Sequence, residues 1–198
     1  IGYSTHDHVI ENGVVYLTGS GKERTPIQLF GKHNLQNISA AKELLKKIGI
    51  TNDQFYKALP SFKGADGRLQ KIYANDSSTV YKDFAHAPSK VKASTEAIKS
   101  IFPKRNLIGC LELHTYSSLN KTFLPEYSGS MKVCDTALVY FNPEKVKQKG
   151  LEELDASQIK AAFNHNNLTV FTDVQAMTDY LKSLPTKDTN LVMMSSGI

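Results

Sequence analysis

Leu138-Val139-Tyr140-Phe141 and, near the end of the chain, Leu191-Val192-Met193-Met194 are apolar at every position. A strand with one wet face alternates apolar and polar residues, so an unbroken apolar run of this length predicts a strand covered on both faces, as in a parallel sheet. Comparable runs predict strands over 106–112 and 168–171. Helices are predicted over 88–101, 120–131, 155–164 and 173–184, so each of these four late strands follows a helical segment. That alternation places the chain in the α/β class, as a Rossmann-like open, mostly parallel sheet with helices on both faces. Two further runs, 69–74 and 78–84, predict a hairpin-like edge. In such sheets ligands gather at the carboxyl ends of the strands.

Before residue 62 the pattern differs. Residues 9–17 read as two short strands around an Asn12-Gly13 turn. Pro26 to Phe30 is a strand-like run ending at Gly31. Ala40, Ala41, Leu44, Leu45 and Ile48 then recur at helical spacing, with Gly49 as the stop. Thr51 to Leu59 reads as a short helix capped by Thr51 or Asn52 and closed by Pro60. This stretch is too small to hide its own apolar faces, so 1–61 is expected to be the tail of another α/β domain and 62–198 the Rossmann-like domain. Gly19-Ser20-Gly21-Lys22 superficially looks like a phosphate loop. It has Tyr16 where the loop needs its first Gly and Glu23 where it needs Ser or Thr, so it reads as a hairpin turn.

Length and composition narrow the classes. At 198 residues, 40% apolar and 22% charged, the chain is an ordinary globular protein with room for one core, or one domain and part of another. No apolar run approaches the about 18 residues of a spanning helix, and the start lacks a signal pattern, so neither membrane nor export is indicated. The net charge of +5 comes from 24 basic and 19 acidic residues. These are interspersed as on a solvated surface, so no nucleic-acid partner is expected. The modest positive bias equally suits ligands carrying several phosphates. Cys110 and Cys134 lack CxxC spacing and a His cluster, so they read as buried free thiols of a reducing, cytoplasmic protein.

Five segments put polar side chains at strand ends or strand-to-helix junctions. In Gly31-Lys32-His33-Asn34-Leu35-Gln36-Asn37 a helix start exposes unpaired amides, and Asn can both donate to and accept from a purine edge. Capping by Asn34 or Asn37 is the plainer account. In Asp83-Phe84-Ala85-His86-Ala87-Pro88-Ser89, Asp83 closes an apolar strand, His86 sits in the loop and Pro88 suits a first helical turn. A carboxylate and an imidazole at a strand's carboxyl end suit a metal–phosphate group, and both should project into the crevice. Against this stands a capping role for Asp83 or Ser89. Glu112 and His114, in Glu112-Leu113-His114-Thr115-Tyr116-Ser117-Ser118, should face the same crevice. Arg68 entering a strand reads singly as a solvated cation, and Ser195-Ser196-Gly197 follows the last strand.

Order and spacing carry more than any one segment. Gly31-x-His33-Asn34-x-x-Asn37-x-x-Ala40-Ala41, then Phe62-x-Gly64-x-x-x-Arg68, then Asp83-Phe84-Ala85-His86-x-Pro88-Ser89, then Glu112-x-His114, then Ser195-x-Gly197 together resemble the Mur ligase family. The likeness runs from about residue 25 to the end, nearest to the murein-peptide recycling branch and next to the L-alanine branch. It implies three domains, holding in turn a UDP-sugar, the ATP phosphate loop and the incoming amine. Residues 1–61 would be the tail of the central ATP-binding domain, and 62–198 the C-terminal domain. It implies ATP as cofactor with Mg²⁺, whose main ligands are expected in the central domain. The implied substrates are UDP-N-acetylmuramate and an amino acid or murein peptide, joined through an acyl phosphate, and the chain alone would be inactive. By that likeness His33, Asn34 and Asn37 contact adenine and Arg68 reaches the ATP. Asp83 and His86 are catalytic beside the γ-phosphate, and Glu112, His114, Ser195 and Ser196 bind substrate. The sequence departs from the family at Gly67 and Gln70, where Arg and Glu are frequent. It departs again at Ala87 and Ser89, and in the loop after Glu112, which lacks an expected Arg. The competing class is a non-catalytic Rossmann-like module that binds a nucleotide or a protein.

Overall fold

The computed structural model describes residues 2–19 and 24–197. The chain divides into two compact units, Ile1–Ala65 with Ser100–Pro103, and Asp66–Lys99 with Lys104–Ile198. Most of the expected Gly19–Lys22 turn lies outside the described residues.

In the first unit, β1 (His8–Glu11) and β2 (Val14–Leu17) pair antiparallel, and β3 (Thr25–Ile27) joins β2. Asn12 (φ 51) and Gly13 (φ 78) make the turn between β1 and β2, both in the left-handed region that a tight two-residue hairpin demands. Helix α1 (Lys32–Lys47) follows, then α2 (Asn52–Ala58), whose start is fixed by a reciprocal capping box between Thr51 and Gln54. Pro60 sits in a 3-10 turn, Leu59–Ser61, instead of closing a longer helix. Val15, Leu17, Ile27, Leu35, Ile38, Phe55, Tyr56 and Leu59 form the core. The opposite stripe of α1 remains uncovered, with Leu44 63% and Ile48 72% exposed.

The second unit is a six-stranded sheet. Its strands are β4 (Gln70–Ala74), β5 (Thr79–Asp83), β6 (Asn106–Leu113), β7 (Thr136–Phe141), β8 (Leu168–Phe171) and β9 (Thr189–Met194), in the spatial order β4-β5-β9-β6-β7-β8. All neighbours are parallel except β4 and β5, the expected edge hairpin. Helices α3 (Pro88–Ile101), α4 (Pro143–Gln148), α5 (Ala156–Phe163) and α6 (Val174–Ser183) complete the unit, except that α3's last residues fall with the first. Leu138 and Val139 of β7 are fully buried, as their unbroken apolar run requires, each worth about 1.5–3 kcal/mol. On one face, Ile108, Cys110 and Leu138 pack with Leu191 beneath Tyr180 and Leu181 of α6. On the other, Asp83 meets Ser94 of α3, and Gly109 faces Met131 and Cys134. Both cysteines are free and buried. No helix among the described residues is long and apolar enough to cross a membrane.

The helix expected over 120–131 is absent, replaced by turns and the 3-10 segment Leu124–Tyr127. Three residues prevent it. Asn120 Oδ1 accepts from the Thr122 amide (2.8 Å), a local bond that competes with the helical ladder. Pro125 has no N–H to donate back, and Gly129 takes φ 71. The short α4 was not foreseen, although Asn142 as cap and Pro143 at the first helical position are an ordinary start signal.

Candidate functional site at the carboxyl ends of the parallel strands

Strands β5, β9 and β6 end side by side, Asp83 and Leu111 both in register with Met194. The residues just beyond this row, on β5, β9 and β6, are those the sequence singled out.

Asp83 does not project into the crevice. It is 5% exposed; its Oδ2 accepts the Ser94 hydroxyl and its Oδ1 the Ala85 amide (3.3 Å). Asp83 lies on the face of β5 that α3 covers, so its side chain is committed to tying the strand end to that helix. Nor does it cap α3, since its amide partner is two residues on, outside the helix. The Asp83 carbonyl accepts the Ser195 amide (3.1 Å), which locks the two strand ends together.

His86 is half-buried, and its Nδ1 donates to the Phe84 carbonyl (2.9 Å). A carbonyl can only accept, so the neutral ring keeps its lone pair on Nε2. The loop is pinned from behind by Tyr127, whose hydroxyl donates to the His86 carbonyl. Burial pushes that phenol up to about 12, against a smaller opposing effect of a Ser118 hydrogen bond, so it remains a donor at neutral pH. Gly67, at φ 65, turns the chain so that its own carbonyl accepts the Phe84 amide (2.8 Å). Arg68 thereby stands over the Phe84 ring at 5.1 Å, and His86 meets the same ring edge-on at 5.4 Å. Phe84, 40% exposed, thus packs against both Arg68 and His86, a neighbour that sequence reading passed over as part of a motif.

Glu112 and His114 come together with the serines. Glu112 Oε2 accepts the Ser195 hydroxyl, whose oxygen in turn accepts the Gly197 amide (2.9 Å). Glu112 Oε1 lies 3.8 Å from His114 Nδ1. Ser196 Oγ is buried without a hydrogen-bond partner among the described residues. A further residue, Lys145 of the unforeseen α4, brings its ammonium 3.4 Å from His114 Nδ1. Asn142 Oδ1 holds that helix start, accepting the Glu144 amide (2.9 Å).

His33, Asn34 and Asn37 belong to the first unit, on the opening turns of α1. Asn34 does not cap: its Nδ2 donates to the Phe30 carbonyl (2.9 Å), which fixes the amide's orientation. The N-cap of α1 is Gly31, which has no side chain to offer its amides. His33 is half-buried and Asn37 exposed.

The family described as Mur ligase, glutamate ligase domain, matches residues 67–197. Among curated proteins, the UDP-N-acetylmuramate–L-alanine ligase of Fusobacterium nucleatum is 28% identical over 180 residues, 84% of this chain and 37% of that one. The chain thus spans little more than a third of that relative's length. Among solved structures, the UDP-N-acetylmuramate-alanine ligase of Thermotoga maritima superposes with a TM-score of 0.66 at 14% identity, over 97% of this chain and 42% of that one. The Mycobacterium tuberculosis folylpolyglutamate synthase complexed with ADP gives 0.65 at 19%, over 96% and 44%. At these identities the two superpositions speak for the fold alone. The family match covers most of the sheet unit, site row included, and the chain belongs to the Mur ligase family.

Proposed function

We propose that this chain is the C-terminal part of a cytoplasmic ATP-dependent ligase. It would join the carboxylate of UDP-N-acetylmuramate to the amine of an amino acid or murein peptide, in peptidoglycan synthesis or recycling. The observation that carries this reading is the row of polar groups across the ends of β5, β9 and β6: His86, Ser195, Ser196, Glu112 and His114. ATP supplies the phosphoryl group that activates the carboxylate. The residues of this chain contribute positioning and proton handling. His86 Nε2, with its lone pair free, takes the proton that turns the bound ammonium into the attacking amine, and the second N–H proton leaves with the displaced phosphate. Arg68, held by stacking on Phe84, meets phosphate charge. Glu112 Oε1 holds the incoming amine as its ammonium. Asp83 acts through position, fixing the end of β5. In the first unit, Asn34, its amide oriented by Phe30, joins His33 and Asn37 on the adenine edge. Residues 1–61 are read as the tail of the ATP-binding domain, in keeping with the uncovered Leu44 and Ile48 on α1.

Magnesium does not fit these residues. Both Asp83 oxygens are engaged, and no group of three metal-binding side chains occurs among the described residues. No residue of this chain is assigned to it.

The test has two arms. The purified chain, whose sequence lacks a phosphate loop, should release no phosphate from ATP in the presence of UDP-N-acetylmuramate and L-alanine or murein peptide. In the whole ligase, His86→Ala should lower turnover about 100-fold or more with an unchanged melting temperature. Turnover by the chain alone, or wild-type rates in the variant, would refute the reading. Nucleotide binding by the whole polypeptide without turnover would make it a binding module instead.

A further inference from the structure

Lys145 is a cation whose polar partner is a histidine. An ammonium only donates, so His114 Nδ1 accepts from it at 3.4 Å and the imidazole proton sits on Nε2. No carboxylate among the described residues lies within 4.0 Å of Lys145. The one carboxylate of the cluster, Glu112, lies 3.8 Å from the same imidazole nitrogen, with its second oxygen occupied by Ser195.

We propose that Glu112 and Lys145 are the two poles of a site for a free α-amino acid. Glu112 takes the ammonium; Lys145 takes the α-carboxylate. Lys145 thus supplies, from α4, the cation that the loop after Glu112 lacks. The same arrangement sets specificity. In a peptide the carbon beside the amine carries a neutral amide, which cannot replace a carboxylate opposite a half-buried ammonium. This inference rests on reading the cluster as the amine-substrate site.

Titration of the ¹⁵N-labelled chain with L-alanine, L-alaninamide and L-alanyl-L-alanine, followed through backbone amide shifts of Ser195, Gly197 and Leu113, tests both. L-Alanine should bind about tenfold or more tightly than the other two, the loss expected for one charge-assisted hydrogen bond. Lys145→Met should remove that preference and leave alaninamide binding unchanged, and Lys145→Arg should restore it. Glu112→Gln should weaken L-alanine and alaninamide alike. Equal affinity for L-alanine and its amide, or a Lys145→Met variant that binds L-alanine like wild type, overturns the role of Lys145 and leaves the amine site standing. No shift with any of the three amines overturns the amine site itself, and the inference with it.

Discussion

Replacing Asp83 by Ala should destabilise the sheet unit by about 2–4 kcal/mol. The carboxylate is 5% exposed and accepts from two donors that water reaches poorly, Ser94 (4%) and the Ala85 amide (2%). Truncation strands both, and a buried donor left unsatisfied costs about 1–3 kcal/mol. Ser94 lies inside α3 and can recover part by turning its hydroxyl to the carbonyl of Lys90, which brings a sum of about 2–6 kcal/mol for the two donors down to about 2–4 kcal/mol. Ser94→Ala alone leaves the carboxylate with one partner. In the double variant neither group is stranded, so its cost should fall short of the two singles added, by about 0.5–3 kcal/mol. The chain has no Trp, so urea unfolding is best followed by far-UV circular dichroism. A melt reports the same loss as about 2–4 °C per kcal/mol in a chain of this size. An Asp83→Ala variant within about 0.5 kcal/mol of wild type, or strictly additive singles, would show that Asp83 is no anchor and return it to the crevice.

Asp135 offers a pH test. Burial works against its charge, but the Lys99 ammonium (2.7 Å) and the Leu107 amide (2.8 Å) outweigh it and hold the carboxyl below its usual range. A lowered folded-state pKa stabilises above the unfolded value of about 3.9, and that contribution is lost as pH falls through the folded value. Melts at pH 7 and pH 3 should therefore show a smaller acid loss in Asp135→Asn, by less than about 1 kcal/mol because the pair is partly exposed. An unchanged acid limb would remove the pair from the account. Burial pushes both thiols up to about 12, so Cys110 and Cys134 should resist a disulfide reagent at pH 8 until urea unfolds the chain. Prompt labelling of the native protein would contradict that burial. In hydrogen exchange, β4, exposed at all five positions, should lose protection long before Leu111, Val139 and Val192. Equal rates would mean the edge is covered in solution.

Much of the sheet was legible because its strands carry one-sided information. An unbroken run such as Leu138–Phe141 admits few alternatives to a doubly covered strand. What misled was the stretch between β6 and β7, where Leu119, Leu124, Tyr127 and Met131 are all buried at roughly helical spacing without a helix. Burial alone sets that spacing, and Asn120 and Pro125 then decide the backbone locally. The candidate site was legible as a set of strand ends, and three of its members, Glu112, His114 and Ser195, do meet. The orientation of Asp83 was not legible, because the choice between facing a crevice and facing a helix depends on a serine eleven positions away. Lys145 escaped notice for a similar reason: its relation to His114 spans 31 positions.

β9, the last of the described strands, is inserted between β5 and β6 in the middle of the sheet. Val80 must wait for Leu191, and Leu107 for Asn190, before either gains its neighbour on β9. Such distant pairings carry a high contact order and fold slowly, with loop closure preceding any reward. Until then a nascent chain holds two separate ribbons, the β4-β5 hairpin and the β6-β7-β8 group, each with a bare inner edge open to mispairing. The strand that closes this gap leads directly into Ser195 and Ser196, so a chain cut before Thr189 would lack both its sheet's central seam and two of the five polar groups at the strand ends. Assembly of the polar row at the strand ends and completion of the hydrogen-bonded sheet are therefore a single event.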